Sequence, residues 1–459
     1  MDKEIGLGQN TCVSTCASTC EKSIYESNKI KPEQEAGSVI KSSYDQHIST
    51  NDAFSAREIN LENILNQHQT QPETTRMVKE FPSGGLLQPS DYLRLIESRI
   101  PKELISSQCF EEIKNLSGNF SGNLTSFFGF ECRLGESEAR ADWAFAVSGM
   151  GKDRHVLAGL LQNGDLPRQF LQQPEWRHVN DFAAEWANLN SILYKRIKCV
   201  WLEFDISTSM PEIPIPCVFF GPAKPPEGIS PDDTSQYGWL TKNALPLLKG
   251  RSLSKMVERK LLNCIRHIPK NASLFQVGIV LSRSKNGVRL YINRLYPQQI
   301  ISYLKTIGWS DETGEFESLI EEISDKADRF VLSFDVCKDS IGPRIGIECS
   351  FTSNLYQQET RWNTLLNYLV EKGLCLPEKR DALLSYPGME NEENFSGGIM
   401  KPLISVSTNI DNFASSTIVR YINHIKIVYK PGHPLEAKAY PAVRLFELSN
   451  EQKTRLIME

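Results

Sequence analysis

Residues Arg329 to Phe351, RFVLSFDVCKDSIGPRIGIECSF, alternate apolar and polar side chains on both sides of a turn. Leu332, Phe334 and Val336 share one face, while Val331, Ser333 and Asp335 share the other. After KDSIGP, Ile345, Ile347, Cys349 and Phe351 stand opposite Arg344, Gly346, Glu348 and Ser350. A period of two marks a half-buried strand, and Asp, Gly and Pro supply the turn. A lone hairpin of this kind is barely stable, so the chain must build it again or cover it. It does build it again: CVWLEFDI, from Cys199 to Ile206, repeats the L-x-F-D-[IV] core of FVLSFDVC and puts Asp205 where Asp335 sits.

Three more hairpins are predicted, at Leu124–Gly149, Ser273–Arg294 and Val419–Leu448, and the Cys199 strand returns to Gly221. Ser284-Lys285-Asn286-Gly287 turns one of them, since Asn-Gly accepts positive φ, and Lys430-Pro431-Gly432-His433-Pro434 turns the last. Between hairpins the period changes to that of a helix. Trp176, Val179, Phe182, Ala183 and Trp186 form one such stripe, and Pro297 and Pro377 stand where a first helical turn tolerates proline. Five hairpins with one oily face each, alternating with helix pairs, pack consistently in one way. Helices lie outside, polar faces point inward, and the sheet closes to remove its edges. The expected fold is α+β: a ten-stranded antiparallel β-barrel surrounded by a ring of α-helix pairs.

Strand parity then sends Glu131, Arg133, Arg140, Asp142, Gln276, Ser333 and His424 into the lumen, together with the candidate site residues. Arg289, Tyr291, Arg344, Lys426, Lys438 and Tyr440 form a set suited to a diphosphate, because guanidinium and ammonium groups give charge-assisted donors and phenols add neutral ones. Glu203 and Asp205 are candidate proton-transfer groups, and Trp201 offers a face that shields a carbocation. Asp335 and Glu348 fall among the cations, where they oppose phosphate unless a metal such as Mg²⁺ bridges them. The same acids and bases equally suit a lumen that pairs its own charges and needs no ligand.

The order and count of elements over roughly residues 89 to 448 resembles the aromatic prenyltransferases of the ABBA, or prenyltransferase-barrel, fold, whose α-β-β-α unit repeats five times around a ten-stranded barrel. Arg289-x-Tyr291, His424-x-Lys426 and Lys438-x-Tyr440 are similar to that family's spacing of Arg, Lys and Tyr at alternate strand positions. The resemblance implies an enzyme that transfers a prenyl group from an allylic diphosphate to an aromatic small molecule or peptide side chain. Two other readings stay open. One is a tailoring enzyme of ribosomal peptide or natural-product biosynthesis using luminal acid/base pairs such as Glu203 and Asp335; the other is a non-catalytic ligand-binding barrel.

Residues 1–85 read as a polar tail preceding a single barrel domain over 86–459. In the tail, TCVSTCASTC spaces Cys12, Cys16 and Cys20 by four, and Ile59 to Gln67 carries a short helical pattern. A net charge of -5 gives no support to nucleic acid or an anionic membrane as partner. No apolar run is long enough to span a bilayer and the N-terminus lacks a signal-peptide pattern, so a cytoplasmic monomer is expected. Its 11 cysteines are expected as reduced thiols. No nucleotide-binding glycine loop, serine-hydrolase elbow or Cys-x2-Cys zinc pair is present.

Overall fold

The computed structural model describes residues 88–120, 124–125, 127–149, 153–162, 166–206, 213–223, 234–283, 287–310, 314–352, 359–391 and 414–449. The expected tail, with TCVSTCASTC and the pattern from Ile59, lies outside these residues, as do Ser284, Lys285 and Asn286.

Helices α1 (Pro89–Ile96) and α2 (Ser107–Ser117) precede strands β1 (Phe127–Arg133) and β2 (Ala141–Ser148). Then come α3 (Asp153–Gln162), α4 (Pro174–Ala187) and the short α5 (Ile192–Arg196), followed by β3 (Ile197–Phe204) and β4 (Cys217–Pro222). A π-turn at Leu240–Ala244 leads into α6 (Leu245–Lys249), and α7 (Lys255–Arg266) leads into β5 (Ser273–Val280) and β6 (Val288–Asn293). The wider turn accommodates Pro246, which donates no helical hydrogen bond. Next are α8 (Pro297–Thr306), α9 (Glu315–Ile323), β7 (Arg329–Val336) and β8 (Ile341–Ser350). The last described elements are α10 (Trp362–Glu371), α11 (Pro377–Ser385), β9 (Gly388–Asn391), β10 (Ala414–Tyr429) and β11 (Glu436–Ser449). No helix among the described residues is long and apolar enough to cross a membrane.

Successive strands pair antiparallel around the sheet, and β11 meets both β10 and β1. Phe127 lies opposite Arg444 and Arg133 opposite Lys438, so the sheet closes as a ring of ten strands. This is the barrel that the repeated hairpins predict. The four-residue β9, without visible alternation in the sequence, is an addition to it. It pairs with β10 at Thr417–Arg420, on the edge that β8 occupies at Ile425–Tyr429.

Parity divides β1, β2 and β3 as expected. Phe128, Phe130 and Cys132 of β1, Trp143, Phe145 and Val147 of β2, and Val200, Leu202 and Phe204 of β3 are buried on the outer face. The predicted stripe on α4 is buried too, so helix and strand periods meet in one apolar layer. Its aromatic centre packs Trp143 5.0 Å from Phe145 and 6.0 Å from Phe204, with Trp176 6.2 Å from Phe204 between ring centroids. Trp176 and Trp186 satisfy their indole N–H groups on the carbonyls of Pro214 and Ile197. Cys109, Cys132, Cys217, Cys264, Cys349 and Cys375 are buried free thiols.

Candidate active site

A central cavity that opens to solvent is lined by Glu131, Glu203, Arg283, Arg289, Arg344, Lys426, Lys438 and Tyr440. Its side chains come from β1, β3, the turn after β5, β6, β8, β10 and β11, so only ring closure brings them together. Gly346 permits the crossing. A Cβ there would stand 2.5 Å from the Lys426 side chain, which instead lies flat over β8 and places Nζ 4.8 Å from the Tyr291 ring centroid.

Five cations face this cavity, and each has a carboxylate partner. Arg283 grips Asp205 through Nη2 at 2.6 Å and Nε at 3.1 Å, and Arg289 grips Asp335 at 2.7 and 3.1 Å. Lys426 donates to Glu348 at 3.1 Å, Arg344 to Glu436 at 2.7 Å, and Lys438 to Glu131. Tyr440 donates to the second Glu131 oxygen. The alternative of a lumen that pairs its own charges therefore describes these contacts, while the convergence of Arg289, Arg344, Lys426, Lys438 and Tyr440 that a diphosphate requires is also present.

Glu203 is different. It makes no ion pair or hydrogen bond among the described residues, and burial, reinforced by the charges of Glu131, Asp142 and Asp205, pushes its carboxyl up to about 8. Glu131 also suffers from burial, but Lys438 and Tyr440 outweigh it and hold the carboxylate well below its usual range. Asp142, paired with Arg133 at 3.1 Å and accepting the Ile206 amide at 2.8 Å, is raised by burial to about 6. Burial lowers His424, whose ring stacks on Tyr440 at 4.0 Å, so this imidazole is neutral at pH 7.

Trp201 stands two residues before Glu203 on the same face of β3 and meets Phe127 edge-on at 4.8 Å. Phe127 stacks in turn on Tyr421 at 6.4 Å. The apolar end of the lumen is completed by Val419, Ala442 and Met389. Phe127 and Tyr421 were not among the candidates. Phe127 follows the parity of β1, but Tyr421 faces inward only because β10 slips its register between Ile422 and His424, which puts odd residues inward before the bulge and even residues after it.

Several expectations need correction. Asp205, expected as a proton-transfer group, has both oxygens held by Arg283 and a further bond from Ser282, and despite burial is lowered. Asp335 and Glu348, expected to share a metal, are instead bound by Arg289 and Lys426; they do not fit a common Mg²⁺ site without loss of these pairs. Among the described residues the carboxylates that approach one another with a third ligand atom are Glu203 and Asp205 beside Cys217, all within 4.8 Å, a set whose thiol suits a softer ion than Mg²⁺. Arg140 precedes β2 and reaches Glu112 on α2 at 3.4 Å rather than the lumen. Arg283 went unrecognised because it follows β5, beyond the alternating run.

No protein-family model matches the chain, and no curated protein sequence does. Among solved structures it is similar to prenyltransferase PriB in ternary complex with L-tryptophan and dimethylallyl thiolodiphosphate, at 9% identity over 76% of this chain and 93% of that one, with a TM-score of 0.42. It is also similar to AnaPT from Neosartorya fischeri, at 12% identity over 84% of this chain and 97% of that one, with a TM-score of 0.42. Likeness at this level carries no argument about chemistry, and the fold stands on the strand pairing described above.

Proposed function

We propose that the barrel is an aromatic prenyltransferase, which binds an allylic diphosphate and an aromatic acceptor in its lumen. The carrying observation is one cavity that gathers five cationic side chains and a phenol beside a single unpaired carboxyl, Glu203. Cations and phenol would hold the charge that grows on the diphosphate when the bond from its oxygen to the allylic carbon breaks and both electrons leave with the oxygen. The Trp201 ring, two residues from Glu203 on the same strand face, would shield the allylic cation. A ring carbon of the acceptor supplies the electron pair of the new bond, and its proton passes to ionised Glu203. Because Glu203 ionises only near pH 8, turnover rises with pH through that value. Mg²⁺ belongs to this reading as the counter-ion of the diphosphate, and the protein is proposed to work as a cytoplasmic monomer.

Calorimetric titration with dimethylallyl and geranyl diphosphate, with and without Mg²⁺, followed by incubation with indoles, phenols and Trp or Tyr peptides, tests the proposal. Saturable binding and a product heavier by one prenyl group are expected. No diphosphate binding in either condition would remove it.

One observation favours a second reading, a binding barrel without turnover: each cation in the cavity already has its carboxylate. In that case Lys438→Ala changes ligand affinity while no acceptor yields product. The reading as a peptide-tailoring enzyme that uses Glu203 and Asp335 as an acid/base pair is less favoured, since both Asp335 oxygens accept from Arg289.

A further inference from the structure

The carboxylates that neutralise the luminal cations fall into two classes. Asp205, Asp335, Glu348 and Glu436 hold Arg283, Arg289, Lys426 and Arg344 without lining the cavity themselves, so each cation keeps a face toward the open space. Glu131 lines the cavity together with the two groups it binds, Lys438 and Tyr440. Its two oxygens take up the donor of each, as two oxygens of a phosphate group would.

We propose that Glu131 is a resident anion seated in the diphosphate site, so that a ligand enters by exchanging its own oxygens for this carboxylate on Lys438 and Tyr440. This rests on the diphosphate reading above and deepens it, because it names the residue that selects among anions. A lone phosphate group, which reaches only the donors that Glu131 already fills, gains little by the exchange and is held out. A diphosphate also reaches the cavity-facing donors of Arg289 and Lys426, and so wins the exchange. The other carboxylates would not exclude a ligand in this way, since none of them lines the cavity.

The test is a titration of inorganic pyrophosphate and inorganic phosphate into the full chain and its Glu131→Gln variant. The amide keeps the shape of the side chain but gives up the charge that occupies the seat. Pyrophosphate is expected to bind the variant tighter by about tenfold, the change that about 1.4 kcal/mol produces, and phosphate to gain more, so that the preference for pyrophosphate narrows. Binding by the variant alone would support the exchange equally. Glu131→Asp keeps the charge and withdraws it by one methylene; a smaller gain in the same direction is expected, and this variant carries the test if the amide does not fold. A purely structural Glu131 would lower the melting temperature with no gain in affinity. Equal or weaker pyrophosphate binding by the folded variants overturns the exchange and leaves the diphosphate reading intact, whereas absence of binding to parent and variants alike overturns both.

Discussion

The two faces of the same strands make opposite use of burial. Outside, Trp143, Phe145 and Phe204 meet the α4 stripe with no charge among them, and stability there follows the apolar area removed from water. Inside, Glu131, Asp335, Glu348 and their cations lie in a confined, partly desolvated space where attraction between charges must offset the loss of water around each. The outer layer explains why the barrel stands; the inner one contributes much less to stability and keeps ionisable groups where a ligand can reach them.

The largest effect should come from the outer face. Trp143→Ala opens a hole beneath α4 and is expected to cost about 3–5 kcal/mol, read as a shift in the denaturant midpoint; a loss below that of any luminal change would reverse the comparison. Inside, Arg289→Met removes two charge-assisted hydrogen bonds from the Asp335 carboxylate and is expected to cost about 1.5–3 kcal/mol. Adding Asp335→Leu should restore most of that, since an apolar pair can replace a partly buried ion pair. A double variant no more stable than the single one would show that the pair is worth more than its desolvation.

Glu203 sharpens the contrast through pH. Its folded value, about 8, lies above the ordinary 4.5, so the protonated form favours the fold. The contribution is fully present below about 4.5 and lost as pH rises through about 8. Glu203→Gln should therefore melt above the parent at pH 9 and close to it at acid pH, and should abolish the rise of turnover with pH. A parent and variant with parallel melting curves from pH 5 to 9 would contradict this. The smallest effect is expected at the lumen mouth, where Arg344 and Glu436 are 37% and 54% exposed. Arg344→Ala should cost about 0–1 kcal/mol, and the loss should shrink further in salt.

Most of the ring was legible because two periods, of two and of 3.6 residues, alternate between Pro89 and Leu448. The elements that escaped are those too short to show a period: α5, with five residues, and β9, with four. Arg289, Arg344, Lys426 and Lys438 were readable from parity, but Arg283 and the pairing of each cation were not. Asp335 and Glu348 looked like intruders in a phosphate site; register puts each directly across from its cation, Arg289 opposite Asp335 and Lys426 opposite Glu348. Glu131 was readable as luminal, yet its contact with Lys438 depends on β1 meeting β11, a pairing of distant parts of the sequence that no local pattern encodes.

That same contact has a consequence for synthesis on the ribosome. The first strand made must wait for the last, so β1 leaves the exit tunnel with a bare edge and gains its second neighbour only when the C-terminal hairpin has emerged. A nascent chain halted anywhere before Glu436 carries an unclosed sheet, and a chain joined end to start and reopened between two other hairpins would move that vulnerable seam without changing the finished ring.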